Sequence, residues 1–217
     1  MQLPYENRVE AGRRLAERLQ DYAGQDDLLV LALPRGGVPV AFEVAQSLQA
    51  PLDLMLVRKL GTPGQEELAM GAIASGGAQV LNEDLICHLA ISATALERVA
   101  AQERKEMERR RQAYRGDRPE PQIGGRCVIL VDDGIATGAT MRVAVSALRQ
   151  LKPAQVVVAV PVAPPDTVEL LSREADKVVC PATPEPFFGV GRWYADFSQT
   201  DDQEVRRLLK AAWSPSS

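Results

Sequence analysis

The chain has 217 residues, 46% hydrophobic and 25% charged, enough to bury a sizeable core in one ordinary domain with an added lobe. Its net charge of −4 argues against a dedicated nucleic-acid binder, which needs a basic excess, yet allows a small anionic ligand held by a few local donors. No apolar run approaches the roughly 18 residues of a membrane span, and MQLPYENRVEAGRRL lacks a basic stretch followed by an apolar core, so the expectation is a cytoplasmic protein with no membrane segment and no secretory signal.

Residues 8–22 carry Val9, Gly12, Leu15, Ala16 and Leu19 at helical spacing with charges between them, an amphipathic helix. LLVLAL (28–33) is a continuous apolar run, broken by Pro34, Arg35, Gly36 and Gly37 and followed by a helical pattern over 38–48. LDLMLV (52–57) predicts a second buried strand ending at Arg58 and Lys59, and LGTPGQEE (60–67) then reads as a mobile loop. Residues 72–75 and 78–81 flank Gly76 and Gly77, a hairpin signal. Asn82 is placed to cap a helix running to Ile91.

A longer helix is expected over 92–114, with a narrow stripe of Leu96, Val99, Ala100, Met107 and Tyr114. Its arginines alternate with glutamates, as on a solvated or oligomer-facing helix rather than a nucleic-acid contact. Past a breaker at 117–125, CVILV (127–131) is a strand followed by a helix over 138–151. QVVVAV (155–160), a helix near 166–174 and KVVC (177–180) continue the alternation. Residues 181–199 turn to Pro, Gly and aromatics, and a helix over 201–213 follows. Three cysteines (Cys87, Cys127, Cys180) without a CxxC pattern read as small buried hydrophobes. His88 is the single histidine, which excludes a multi-histidine zinc site, and no GxSxG elbow accompanies it.

Apolar, non-alternating strands interleaved with helices predict a parallel sheet covered on both faces. Ligands of such sheets bind beyond the carboxyl ends of the strands. Three unusual loops follow strand ends, at 34–37, 58–67 and 132–140, and are expected on one rim.

The strongest signal is VILVDDGIATGAT (128–140). Asp132 and Asp133 sit at a strand end, where paired carboxylates can accept hydrogen bonds from a pair of sugar hydroxyls, and they are expected to be solvated in an open crevice. Thr137, Gly138, Ala139 and Thr140 open a helix whose free N–H groups, hydroxyls and dipole suit an anion. At average residue frequencies DDxxxTGxT would occur by chance in about one chain of this length in ten thousand. PRGG alone is as compatible with a tight turn, and Arg58 and Lys59 alone with a solvated strand end. The aromatic tail 186–197 is either a satellite core or a hood that stacks on a planar ring.

Residues 128–140 resemble the 5-phosphoribosyl-1-pyrophosphate (PRPP) motif of type I phosphoribosyltransferases. The resemblance implies a Rossmann-like α/β fold, a parallel sheet flanked by helices, with a small C-terminal hood. It divides the chain into a PRPP-binding core at 1–180, including a helical insertion at about 82–116, and a hood with the last helix at 181–217. It assigns the ribose hydroxyls to Asp132 and Asp133 and the 5-phosphate to Ala136, Thr137, Gly138, Ala139 and Thr140. Pyrophosphate falls to Arg35, Gly36, Gly37, Arg58 and Lys59, with Asp132, Asp133, Lys59 and Arg58 as the catalytic set. Phe188 and Val190 fall beside the base, with Asp196 near a metal-side acid.

Mg²⁺ is implied as a companion of PRPP near Asp132 and Asp133, not as an ion in an all-protein cage. The implied activity is transfer of the phosphoribosyl group to a nitrogen nucleophile such as a nucleobase, releasing pyrophosphate. Glu66 or Glu67 is a candidate for the base proton, and a homo-oligomer is an open partner. A non-catalytic PRPP-binding regulator shares every motif residue, and a PRPP synthetase-like kinase shares the motif but needs a longer, two-domain chain. Ala136 stands where hypoxanthine-guanine enzymes carry a carboxylate, and no Lys or Arg follows Leu60 until Arg98, unlike orotate enzymes.

Overall fold

A computed structural model describes residues 3–214. In chain order the helices and strands are α1 (Arg8–Glu17), β1 (Leu28–Ala32), α2 (Gly37–Leu48), β2 (Leu52–Leu54), β3 (Val57–Thr62), β4 (Gln65–Ala74), β5 (Gln79–Leu81), α3 (Glu83–His88) and α4 (Ala93–Arg115). They continue with β6 (Cys127–Val131), α5 (Ala139–Gln150), β7 (Gln155–Ala159), α6 (Pro165–Ser172), β8 (Lys177–Val179) and α7 (Asp202–Trp213). Among these residues no helix is long and apolar enough to cross a membrane.

Five strands form a parallel sheet in the order β2-β1-β6-β7-β8. Successive side chains of a strand point to opposite faces, and the sequence fills both. Leu28, Val30 and Ala32 join one core with Leu15 of α1, Val44 of α2 and Leu209 of α7. Leu29 and Leu31 join a second core with Met141 and Leu148 of α5 and Leu171 of α6. This double burial is why the strands read as unbroken apolar runs. From β1 the chain winds to β2 on one side, whereas β6 lies on the other, so a crevice opens at the carboxyl ends of β1 and β6.

A second sheet, β3-β4-β5, is antiparallel. It corrects the expected loop at 60–67: β3 and β4 form a hairpin whose turn is Pro63 and Gly64. It also lengthens the expected strand at 72–75, because β4 begins at Gln65. The outer half of β4, from Gln65 to Ala69, is exposed throughout, so no apolar alternation marks it in the sequence. The inner part packs Leu60, Met70 and Ile73 against Ala100 of α4 and apolar side chains of α3. Asn82 and Ser92 cap α3 and α4 through their side chains.

The outer edge of β2 is closed by side chains. Arg115 donates to Asp53 at 2.7 Å and to the Leu54 carbonyl at 3.1 Å, and Trp213 Nε1 donates to the Leu52 carbonyl at 2.8 Å. Beyond β8, the aromatic tail builds a third core of Tyr5, Ala11, Val162, Ala182 and Tyr194, with Phe187, Val190 and Trp193 against it. The last helix does not cover that core; Val205, Leu208 and Leu209 of α7 join the main one. Of the three free cysteines, Cys127 is buried and Cys180 half-buried, but Cys87 is exposed on α3, unlike Leu85 and Ile86 of that helix, which pack on the core of the second sheet.

Candidate functional site

The loop after β6 is held from below. Ile135 N–H donates to the Val162 carbonyl at 3.0 Å, and Thr167 Oγ1 of α6 donates to the Ala136 carbonyl at 2.8 Å. These anchors leave Ala136, Thr137, Ala139 and Thr140 exposed along the rim. Gly138 precedes α5 with φ of +77°, a left-handed conformation that suits glycine. No side chain caps this helix. The first N–H groups of a helix have no intrahelical acceptor, so α5 begins with donors and a positive dipole end facing the crevice.

Asp132 and Asp133 differ from their expected solvated state. Both are half-buried, and the Asp132 carboxylate accepts the Asp133 N–H at 2.8 Å. Burial first, and the Asp133 charge second, push the Asp132 carboxyl well above its ordinary 3.8. Burial also raises Asp133, against the opposing pull of Arg8. With that guanidinium in direct contact, the Asp133 carboxyl is raised less than that of Asp132.

Arg8 is the residue that sequence reasoning missed. Its Nε and Nη2 reach Asp133 Oδ2 at 2.8 and 2.7 Å, and its Nη1 donates to the Ser198 carbonyl at 2.6 Å. The only signal was an arginine at the first position of α1, 125 residues from its partner.

The two glycines of PRGG lie directly beneath the acids. A Cβ on Gly36 would stand 2.0 Å from Asp133 Oδ2, and one on Gly37 would stand 2.8 Å from the Val131 carbonyl oxygen and 3.1 Å from Asp132 Oδ1. The loop after β1 therefore seats the acidic pair, a role the sequence reading did not assign it. Arg35 extends toward α7, 3.7 Å from Asp202.

Pro34, Arg58 and Thr140 border one small cleft with Met107 and Arg110 of α4, so segments from three of the expected loops do converge. Arg58 and Lys59 part company there. As neighbours on β3 they face opposite ways: Arg58 pairs with Glu103 of α4 at 2.6 Å, and Lys59 meets Glu67 across the hairpin at 3.4 Å. Glu66 lies near the exposed tip.

In the hood, Val190 packs on Gly134 of the β6 loop. Phe188 is 75% exposed and free to meet a ring. Asp196 accepts the Ser198 N–H at 2.9 Å, and that bond holds its carboxyl below the ordinary value.

Comparison with known proteins agrees with this geometry. The family model described as Phosphoribosyl transferase domain matches residues 3–192. Two Mycobacterium tuberculosis proteins, from strains CDC 1551 and H37Rv and both named as phosphoribosyl transferases, are 48% identical over 208 residues, 96% of this chain. The chain spans about half the length of these curated relatives, 47%. The crystal structure of TT1426 from Thermus thermophilus superposes with a TM-score of 0.84 at 44% identity, covering 95% of this chain and 98% of that one. With a family match across most of its length and the acidic pair, uncapped helix and glycine loop at one crevice, the chain belongs to the phosphoribosyltransferase family.

Proposed function

We propose that this protein transfers the 5-phosphoribosyl group of PRPP to a nitrogen nucleophile, a nucleobase by preference, and releases pyrophosphate. The observation that carries the reading is the placement of a carboxylate pair beside an uncapped helix start at the switch point of a parallel sheet. The spacing suits a ribose 5-phosphate: hydroxyls at Asp132 and Asp133, terminal phosphate at the segment from Ala136 to Thr140.

In the reaction the C1–N bond forms as the C1–O bond to pyrophosphate breaks, through a state resembling a ribosyl cation. Catalysis then rests on orientation, stabilisation of the leaving charge and exclusion of water. Arg35, Gly36 and Gly37 border the pyrophosphate from one side and Arg58 from the other, while Lys59 needs movement of the hairpin to reach it. Each of these cations is held by a carboxylate, Asp202, Glu103 and Glu67 respectively, which pyrophosphate would displace. Phe188 and Val190 flank the acceptor, and Glu66 or Glu67 takes its proton when the hairpin closes as a lid.

The donor set fits Mg²⁺. Burial disfavours charge on the adjacent carboxyls of Asp132 and Asp133, and a cation beside them would offset that cost. Mg²⁺ would keep phosphate and water among its ligands there. When bound with PRPP it supplies charge neutralisation for the leaving pyrophosphate.

The test is transfer of label from ribose-labelled PRPP into a panel of bases with Mg²⁺ present. Labelled nucleotide together with pyrophosphate is the expected result. PRPP binding without product from any base would leave a regulator instead of an enzyme, and absence of PRPP binding would overturn the reading altogether.

A further inference from the structure

One guanidinium joins the acidic pair to the hood. Two arms of Arg8 hold a single oxygen of Asp133, the third holds the Ser198 carbonyl, and the plane lies 4.0 Å from the centroid of the Phe197 ring. The Arg8 and Asp133 side chains keep only 12% and 14% of their exposure, so water competes weakly for the contact. A second route runs in parallel. Tyr194 donates its hydroxyl to the Asp133 carbonyl, and its ring packs on Phe197 with centroids 5.0 Å apart. Acid and hood ring are thus tied twice, through the side chain and through the backbone of one residue.

The arrangement also orients the carboxylate. Oδ2 is enclosed by Arg8 on one side and by Gly36 on the other, and the Asp133 carboxyl also interacts with that of Asp132, so its orientation is fixed before a ligand arrives. A planar fork can hold one oxygen with two N–H groups, reach a carbonyl with a third and still stack on a ring. An ammonium carries the charge without that geometry.

We propose that Arg8 is a positioning residue that couples ribose recognition to the acceptor subsite. When sugar hydroxyls draw on Asp133, the guanidinium carries the change to Ser198 and Phe197, so the hood readjusts when the site is loaded. This rests on the reading of Asp132 and Asp133 as ribose-binding acids.

The experiment uses Trp193, which belongs to the hood core and is one of two tryptophans in the chain. A Trp213→Phe background leaves it as the single tryptophan fluorophore. PRPP with Mg²⁺ is titrated into this background and into Arg8→Lys and Arg8→Gln made on it. Affinity is read by calorimetry, and Trp193 emission is read at saturating ligand. The background should bind and change its emission, R8K should bind with its emission response lost, and R8Q should bind at least tenfold more weakly. Melting curves report folding, and R8K, which keeps a charge opposite Asp133, is the variant to read if R8Q does not fold.

A background that binds without any emission change, an R8K that keeps the full response, or an R8Q of unaltered affinity would each overturn the coupling while leaving ribose recognition standing. A folded background protein that binds no PRPP would remove both.

Discussion

Asp132 is pushed up by burial and by the charge of Asp133, so the folded protein binds its proton more tightly than the unfolded chain does. The contribution of this group to stability is full below its ordinary 3.8 and is lost as pH rises through the raised folded value. Asp132→Asn should therefore melt higher than the parent at neutral pH, by roughly 3 °C for each 1 kcal/mol in a chain of this length. The gap should close as pH falls toward 3.8, and calorimetry should show PRPP affinity at least tenfold lower. A constant melting difference across pH would count against the charge argument. Gly36→Ala is a second case, because the added methyl cannot coexist with Asp133 Oδ2 at 2.0 Å. PRPP affinity should fall by more than tenfold in that variant, with Asp133 displaced in a crystal structure.

At the scale of elements, the hairpin formed by β3 and β4 has an anchored base and a loose tip. Met70, Ile73 and Leu60 are buried, whereas Gln65 to Ala69 are exposed and the cross-strand ion pair between Lys59 and Glu67 lies in solvent. Surface pairs of this kind contribute little. Hydrogen exchange should be fast at Gln65 to Leu68 and slow at Ile73, and PRPP with Mg²⁺ should slow the tip. Unchanged tip exchange at saturating ligand would argue against a lid.

The same contrast explains what could be read from residues alone. β1 and β6 are buried on both faces and give unbroken apolar runs, and the capping side chains of Asn82, Ser92 and Asp201 mark real helix starts. The outer hairpin has neither burial nor alternation, so glycine and proline dominated its reading. Within the site, the acidic pair and the helix start were legible because their chemistry is contiguous in sequence. Arg8 was not, because its partners are 125 and 190 residues away. The seat that Gly36 makes under Asp133 depends equally on a distant neighbour, and a glycine has no side chain with which to announce it.

At the scale of the molecule, the hood is held by the segment before α1. Tyr5 and Trp193 share a backbone bond at 2.8 Å, Ala195 donates to the Tyr5 carbonyl, and Asp196 donates to that of Glu6. The Tyr5 ring is fully buried and its hydroxyl reaches the Pro161 carbonyl at 2.9 Å. Tyr5→Ala should cost about 3–5 kcal/mol, as for other large aromatic truncations, and lower the melting temperature by roughly 10 °C. Because the hood and the β6 loop meet at Val190 and Gly134, PRPP affinity should fall in the same variant. A melting temperature within about 2 °C of the parent, less than 1 kcal/mol for a chain of this length, would show that the segment is not what secures the hood.

The plugged edge of β2 has a consequence for behaviour at high concentration. A bare edge strand invites another chain to extend the sheet. Here the carbonyls of Leu52 and Leu54 are already engaged by an indole and a guanidinium. At the far side, β8 is only three residues long and begins with an exposed lysine. With one border stoppered and the other short and charged, the five-stranded sheet offers strand addition little template, and Arg115→Met should change that twice over. It would strand Asp53 without its partner, at about 3–5 kcal/mol, and uncover an acceptor on which fibrous self-association can begin, visible as light scattering that rises with protein concentration.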